Sequence, residues 1–315
     1  MCRVWWMPIA LVLIGGTIMA QDESRDGRAD ALRRTMGQLE PLHKPLGPPR
    51  PGDWLAVHRE PGQSFDQYIR SRPTVPTSRR RVIYIQPLGD FSDGQRRVVA
   101  LTAELTEDYF DLPTRMLESL PLSVIPARAR RVHPVWKVDQ VLTTYVLDEL
   151  LRPKLPDDAF ACIAFTASDL WPGRGWNFVF GQASLRERVG VWSLFRNGDP
   201  DAGDDEFRAC LRRTAKTGVH ELGHMFSILH CVAFECGMNG SNSEAEKDRR
   251  PLWLGPQCLA KVCWATGADP VRRYRRLLAF CDAHGLEEEA DFYRRSLAAL
   301  GHPATLPATA PAIGD

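Results

Sequence analysis

The sequence carries almost no net charge, because its 40 Lys and Arg residues are balanced by 39 Asp and Glu residues to give +1 at pH 7. A chain without an excess of basic residues sets up no long-range field toward nucleic acid or an anionic membrane. Its arginine clusters at 79–81 and 272–273 also lack the aromatic residues on which single-stranded nucleic acids stack. We therefore expect no nucleic-acid partner.

Long apolar runs are missing after the first twenty residues. Arg3 precedes an uncharged apolar stretch at 4–19, and Ala20 precedes the polar residues 21–24. A basic start, an apolar stretch and a small residue before a polar boundary are typical of a secretory signal peptide. The run is also nearly long enough to remain as an uncleaved membrane anchor. Both interpretations of residues 1–20 predict a secreted or periplasmic protein without any other membrane span.

Cysteine is absent between Cys2 and Cys162, and four of the seven cysteines outside the signal lie between residues 231 and 263. An odd number of cysteines does not form a complete set of disulfides, and a cluster beside histidines indicates metal binding. The segment 21–80 contains no cysteine.

The order of the predicted elements indicates an α+β domain over residues 81–300. Residues 21–80 are rich in Pro and Gly and are interpreted as a linker or as an N-terminal arm wrapped over the domain, and residues 301–315 as a disordered tail. Apolar runs predict strands at 81–86, 160–165, 177–180 and 189–194. Helical spacing predicts helices at 95–109, 136–151, 205–226, 270–284 and 287–300. Helices alone at the end indicate a layered fold with a helical C-terminal part.

The segment 220–230 contains His220, Glu221, His224 and His230. Histidines four residues apart project from one face of a helix, so the first two can bind the same zinc ion. The third histidine lies six residues further on, so the helix has to end before it. Three protein ligands leave a fourth position for water.

Glu221 points away from the two helical histidines and can reach a zinc-bound water without binding the metal. Zinc lowers the pKa of that water, and the carboxylate takes its proton as it attacks a carbonyl. Two histidines at this spacing alone are more often a surface accident, but three of the eight histidines in the chain fall within this segment. We therefore expect one catalytic zinc held by the three histidines, with Glu221 as the general base.

The segment and the residues after it resemble the archaemetzincin family, a branch of the metzincin metallopeptidases. HExxH and a third histidine are followed by Cys231, Cys236 and Met238 at the family's spacing. The similarity covers about residues 80–285 and is clearest at 168–172, 176–184, 240–242 and 248–252.

The resemblance implies a metzincin-like fold, with a mixed twisted sheet packed on helices and an active-site helix followed by a Met-turn. Met238 would lie in that turn beneath the zinc ligands. Residues 189–194 would form the edge strand beside the cleft and bind an extended peptide by strand addition. The implied activity is hydrolysis of peptide or protein substrates, with an aminopeptidase-like preference for short peptides.

The family also holds a second zinc with four cysteines, of which Cys231, Cys236 and Cys258 are matched here. Gly255 stands where the fourth is expected, and Cys263 is the candidate substitute. The thiols either hold this second zinc or form disulfides in an oxidising compartment, between Cys231 and Cys236 or between Cys258 and Cys263.

Ser227 stands where the family has glycine, at the turn that leads to the third histidine. A left-handed conformation there costs serine about 1 kcal/mol. Zinc binding supplies far more, on the order of 10 kcal/mol in structural sites. We therefore expect His230 to reach the metal.

Two other functions share this chemistry. A catalytically weak or inactive zinc-binding protein that holds peptides or a partner is suggested by Ser227 and Gly255, both of which depart from the family pattern. A hydrolase of cell-wall peptides or of another amide would use the same metal site.

Overall fold

The computed structural model describes residues 27–303. The predicted signal peptide at 1–20 and residues 304–315 of the predicted tail lie outside this range. Among the residues described, no helix has the length and apolar character needed to cross a membrane.

Residues 27–80 pack against the rest of the chain. They contain helix α1 (residues 27–39) and the short helices α2 (Trp54–Val57) and α3 (Phe65–Arg70). A capping box between Ser64 and Gln67 begins α3. The apolar residues of this arm that enter the main core are Ala29, Leu32, Leu39, Phe65 and Tyr68. We call residues 27–80 the N-terminal arm below.

A five-stranded mixed sheet lies at the centre of the domain. The strands of the described chain are β1 (Val82–Leu88), β2 (Thr114–Met116), β3 (Arg130–Val132), β4 (Asp139–Leu142), β5 (Ala159–Thr166), β6 (Asp169–Trp171), β7 (Gly181–Ser184) and β8 (Val189–Ser193). The central sheet has the order β2-β1-β5-β8-β7, in which β7 is antiparallel to β8 and the other pairs are parallel. Strands β3, β4 and β6 form a small second sheet.

Helices cover both faces of the central sheet. After the arm they are α4 (Asp93–Phe110), α5 (Thr143–Tyr145, continued by a π-helical segment Val146–Leu151), α6 (Asp204–Met225), α7 (Glu244–Asp248), α8 (Pro256–Thr266), α9 (Pro270–Ala283) and α10 (Glu287–Ala299). On β1, Ile83 and Ile85 enter the core that contains α4 and α6, whereas Tyr84 faces a second core that contains the π-helical segment. Strand β5 is buried along its whole length, which explains its continuous apolar sequence.

Most long elements agree with the sequence predictions to within two residues at each end, including β1, β5, α4, α6, α9 and α10. The predicted helix at 136–151 is wrong in its first part, where residues 139–142 form β4. The β-branched Val138 and Val141 fit a pleated strand as well as a helical face. Helix α8 lies in a segment for which the sequence predicted no helix, and it begins with Pro256 at a position where proline fits a helix.

The predicted edge strand is also wrong. Residues 189–194 contain β8, which lies between β5 and β7 and is buried throughout. The edge is β7, one side of which has no strand partner among the described residues. The predicted strand at 177–180 is wrong as well, because only Val179 pairs there, in a single bridge with Leu170.

Candidate metal centre and active-site cleft

Helix α6 positions the first two histidines. Its first turn contains Asp204, Asp205 and Glu206, whose negative charges are stabilised at a helix N-terminus. Its apolar face is buried along the helix up to Leu222 and Met225, so the opposite face opens into the cleft. On that face the Nε2 atoms of His220 and His224 lie 3.0 Å apart.

The helix ends at a turn formed by Ser227. Ser227 has a φ of 65°, the left-handed conformation expected from the sequence, and its N–H donates to the carbonyl of His224 at 2.8 Å. The hydroxyl, which glycine would lack, accepts a hydrogen bond from the backbone N–H of Thr74 in the N-terminal arm at 3.0 Å. The arm therefore offsets part of the conformational cost of serine.

The turn brings His230 back to the helix, so that the ligand atoms of the three histidines lie within 4.8 Å of one another. Nδ1 of His220 lies 2.9 Å from the carbonyl oxygen of Gly237, and Nδ1 of His224 lies 2.7 Å from the carbonyl oxygen of Ile228. A carbonyl oxygen only accepts hydrogen bonds, so each of these Nδ1 atoms carries the proton and each Nε2 presents a lone pair. Histidine ligands in zinc sites are oriented in this way.

This geometry fits a bound cation. Two nitrogen lone pairs that face each other at 3.0 Å repel unless a cation lies between them. Burial, together with the neighbouring histidines, lowers the pKa of His220 and of His224 to about 4. Both imidazoles are therefore neutral at pH 7, in the form that binds metal.

Glu60 in the N-terminal arm orients the third histidine. Its carboxylate oxygens lie 2.9 and 3.0 Å from Nδ1 of His230. Trp54 packs edge-on against the same imidazole, with ring centroids 5.1 Å apart. No sequence signal identified Glu60, because it lies 170 residues before its partner and outside any periodic pattern.

Glu221 lies beside the histidines in the cleft, and burial raises its pKa. The cleft has a volume of about 640 Å³ and is lined by the arm, by residues 175–181, by α6 and by the segment after His230. The lining includes the aromatic side chains of Trp176, Phe178 and Phe180. It also includes the first residue of β7, Gly181.

Met238 is buried and packs against α6 between the two helical histidines. A Cβ atom placed on Gly223 would lie 2.4 Å from the sulfur of Met238. The thioether therefore occupies the space that a side chain at 223 would need, and it supports the turn of helix that carries His220 and His224.

The structure brings Cys231, Cys236 and Cys258 together in a second buried group, with their sulfur atoms within 4.8 Å of one another. Hydrogen bonds from the other two thiols lower the pKa of Cys231. The sulfur of Cys236 accepts from the backbone N–H groups of Gly255 at 3.0 Å and Met238 at 3.3 Å. These two bonds favour the thiolate form that binds metal, whereas burial and the neighbouring thiols raise the pKa of Cys236 above its ordinary value.

Cys263 is buried but does not belong to this group. It lies five residues after Cys258 on α8, more than one helical turn away, and so faces a different side of the helix. The seven described cysteines are all free, so neither of the disulfides considered above is formed.

Comparison with known proteins gives a consistent family assignment. Residues 129–263 match Peptidase family M54. The human protein Archaemetzincin-2 is 32% identical over 308 residues, which cover 87% of this chain and 84% of that protein. Human Archaemetzincin-1 is 28% identical over 264 residues, which cover 73% of this chain and 52% of that protein.

Solved structures of archaemetzincins are also similar. The enzyme from Archaeoglobus fulgidus, crystallised with malonate, is 26% identical with a TM-score of 0.44, over 57% of this chain and 99% of that chain. The three histidines and Glu221 fall inside the region matched to the peptidase family. The chain therefore belongs to the archaemetzincins, the zinc metallopeptidases of peptidase family M54.

Proposed function

We propose that this archaemetzincin hydrolyses peptide bonds at a single catalytic zinc held by His220, His224 and His230, with Glu221 as the general base. The observation that carries the proposal is the inward orientation of the ligand nitrogens, with two Nε2 atoms 3.0 Å apart. Zinc bound at this position would supply Lewis acidity and lower the pKa of a water molecule to near neutrality.

Glu221 is placed to move a proton during the reaction. It follows His220 directly on α6 and lies in the cleft. Because burial raises its pKa, its carboxylate is a stronger base than one exposed to solvent. It accepts a proton from the attacking water and delivers it to the amine that leaves.

The substrate is proposed to lie beside β7 as an added strand. Strand β7 is the edge of the central sheet nearest the cleft, and its first residue, Gly181, lines the cleft. An extended peptide gains backbone hydrogen bonds from such an edge, and its side chains enter pockets on alternate sides. The aromatic side chains at 176, 178 and 180 offer apolar surface beside that path.

The aminopeptidase-like preference implied by the family resemblance stays a prediction. Recognition of a free α-amino group requires an acceptor, and of the described residues that line the cleft only Glu221 is acidic. Cleavage rates on short peptides with free and acetylated N-termini test the preference. Equal rates would contradict it.

We propose that Met238 forms a Met-turn beneath the histidines and that Cys231, Cys236 and Cys258 hold a second, structural zinc. Support for the turn comes from the close packing of Met238 on Gly223. Support for the second zinc comes from three buried sulfur atoms within 4.8 Å, one of them with two N–H donors.

The substrates are proposed to be peptides or proteins outside the cytoplasm, since residues 1–20 resemble a secretory signal.

Replacement of Glu221 by glutamine tests the general base. We expect the variant to bind the same amount of zinc as the wild type and to cleave a mixed peptide library about 10²- to 10⁴-fold more slowly, the range that proton transfer contributes. Glu206→Gln, at the other end of the same helix, is the matched control and should cleave at the wild-type rate. A Glu221→Gln variant as fast as the wild type would show that another group accepts the proton.

The same assay separates the alternatives. Fully zinc-loaded wild type that cleaves no peptide in a diverse library would favour an inactive protein that binds peptides or a partner. Cleavage confined to cell-wall peptides would identify the third function considered from the sequence.

A further inference from the structure

The thiol cluster has one protein ligand too few for a closed zinc site. Structural zinc sites use four protein ligands in a tetrahedral arrangement, and the cluster supplies Cys231, Cys236 and Cys258. The three side chains are 6%, 0% and 0% exposed. Bulk water therefore has little access to a fourth position, and a fourth protein donor is needed.

His43, in the N-terminal arm, is a buried histidine whose hydrogen-bonding groups are unused. It is 6% exposed, and neither ring nitrogen has a hydrogen-bond partner within the described chain. Leaving such a group unpaired in the interior is unfavourable. The buried His133 differs, since its Nδ1 accepts hydrogen bonds from the backbone N–H groups of Val135 and Trp136.

Backbone pairing places His43 next to the cluster. Pro45 forms an antiparallel bridge with Phe234. Two backbone hydrogen bonds have the same register: the N–H of Leu46 donates to the carbonyl of Ala233 at 2.9 Å, and the N–H of Glu235 donates to the carbonyl of Lys44 at 2.9 Å. Continued by one residue, it brings His43 opposite Cys236.

Residues opposite each other in an antiparallel pair project from the same face, with Cβ atoms about 4.5–5.5 Å apart. Lys44 and Glu235 form an ion pair of 2.6 Å on one face, so His43 and Cys236 share the other. On that face the imidazole makes edge contacts with Phe234 and Phe292, at centroid distances of 6.0 and 5.2 Å.

We propose that His43 is the fourth ligand of the zinc held by Cys231, Cys236 and Cys258, and that it completes a Cys3His site. The inference rests on the second zinc of the proposed function. His43 is not within the 4.8 Å group of sulfurs, so its ring turns toward them when the metal binds. No hydrogen bond has to break for this movement, and binding releases the protons of the thiols.

Such a site would join the arm to the catalytic turn. Cys231 follows His230 directly, and Cys236 lies two residues before Met238. A zinc bound to His43 would therefore fix the arm against the segment that carries the third histidine. The same arm supplies Glu60 to that histidine.

Gly255 offers a way to restore a ligand when His43 is removed. A Cβ atom on Gly255 would lie 3.7 Å from the sulfur of Cys236 and 3.4 Å from Cβ of Phe234, so a cysteine fits beside the cluster with ordinary contacts. The φ of −63° is also normal for a residue with a side chain.

The experiment compares zinc per chain and cobalt spectra for the wild type, His43→Ala, and the double variant His43→Ala with Gly255→Cys. We expect about two zinc ions per chain in the wild type and about one in His43→Ala under chelator competition. The zinc affinity of the thiol site should fall by more than about 100-fold, which is the largest loss expected when a residue that only hydrogen-bonds to a metal ligand is removed. In the double variant the second zinc returns. Cys263→Ala, which removes a buried thiol outside the group, is the control and keeps both ions.

Cobalt spectra report the ligand set without any assay of activity, since thiolate-to-cobalt charge transfer grows with the number of sulfur ligands. The double variant should absorb more strongly in that band than the wild type, because four sulfurs replace three. Long-range proton–nitrogen NMR of zinc-loaded wild type adds a test that needs no variant. One ring nitrogen of His43 should show the shift of a metal-bound imidazole.

The outcomes distinguish the two levels of the inference. Two zinc ions in the wild type and in a folded His43→Ala variant, with unshifted His43 nitrogens, would overturn the role of His43 and leave the second zinc intact. One zinc in the wild type, absent from the thiols, would overturn the second zinc itself. If His43→Ala fails to fold, the NMR shift in the wild type decides the question.

Discussion

Glu60→Gln tests how the N-terminal arm contributes to the metal centre. In the wild type the carboxylate lies 2.9 Å from Nδ1 of His230, and the two side chains are 26% and 15% exposed. Glutamine keeps the size of the side chain and can still accept a hydrogen bond, but it removes the negative charge. The imidazole then becomes a weaker zinc ligand, because a charged acceptor on Nδ1 increases the electron density at Nε2.

The expected loss is a 10- to 100-fold weaker affinity for the catalytic zinc, the usual effect of changing such a partner. This corresponds to about 1.4–2.7 kcal/mol. We place the loss toward the lower end, because the contact is partly exposed to solvent and so partly screened.

Competition with a chromophoric chelator measures the affinity, and peptide cleavage at saturating zinc measures what activity remains once the site is filled. Glu40→Gln changes a glutamate of the same arm that lies outside the cleft lining, and it should bind zinc like the wild type. Equal zinc affinities for Glu60→Gln and the wild type would refute the claim that the arm orients the third ligand.

Three further predictions concern the same centre. Gly223→Ala should destabilise the protein by about 1–3 kcal/mol, because the new Cβ has to displace the sulfur of Met238. Gly218→Ala on the same helix is the control, since its Cβ meets only ordinary contacts of 3.6 and 3.8 Å. An equal loss of unfolding free energy in chemical denaturation for both variants would contradict the prediction. Ser227→Ala should lose about 1 kcal/mol, because it keeps the left-handed strain and gives up the hydrogen bond from Thr74. Ser227→Gly gives up both and should stay within about 0.5 kcal/mol of the wild type, so a ranking of Ala above Gly in unfolding free energy would oppose the argument. The metal-free protein should lose stability as the pH falls from 6.5 toward about 4. Folding lowers the pKa of His220 and of His224 from the ordinary 6.5 to about 4, so the unfolded chain binds more protons than the folded chain in this pH range. Denaturation midpoints that do not change between pH 6.5 and 4 would argue against buried, neutral imidazoles.

The arrangement of the first two histidines and Glu221 could be predicted from the sequence because its information is local. His220, Glu221 and His224 lie on one helix with a clear apolar face, so spacing alone determines which side chains converge. The end of that helix before His230 followed from the spacing, and the left-handed turn at Ser227 followed from the glycine that the family has at this position.

The supporting contacts could not be predicted because they join distant parts of the chain. Glu60 lies 170 residues before its partner, and His43 lies two residues before a single backbone bridge, between Pro45 and Phe234, that no sequence pattern indicates. The edge strand was missed for a related reason. Strand β7 has the sequence Gly-Gln-Ala-Ser and lacks alternating apolar residues, whereas the apolar run of β8 is compatible with an edge or an internal position.

Diffraction at the zinc absorption edge from crystals of the zinc-loaded protein tests the central claim most directly. The account predicts an anomalous peak about 2.0–2.1 Å from Nε2 of His220, His224 and His230, with Glu221 beside the ion but outside its ligands. A peak bound by only two of these histidines, with the ring of His230 turned away from the metal, would contradict it.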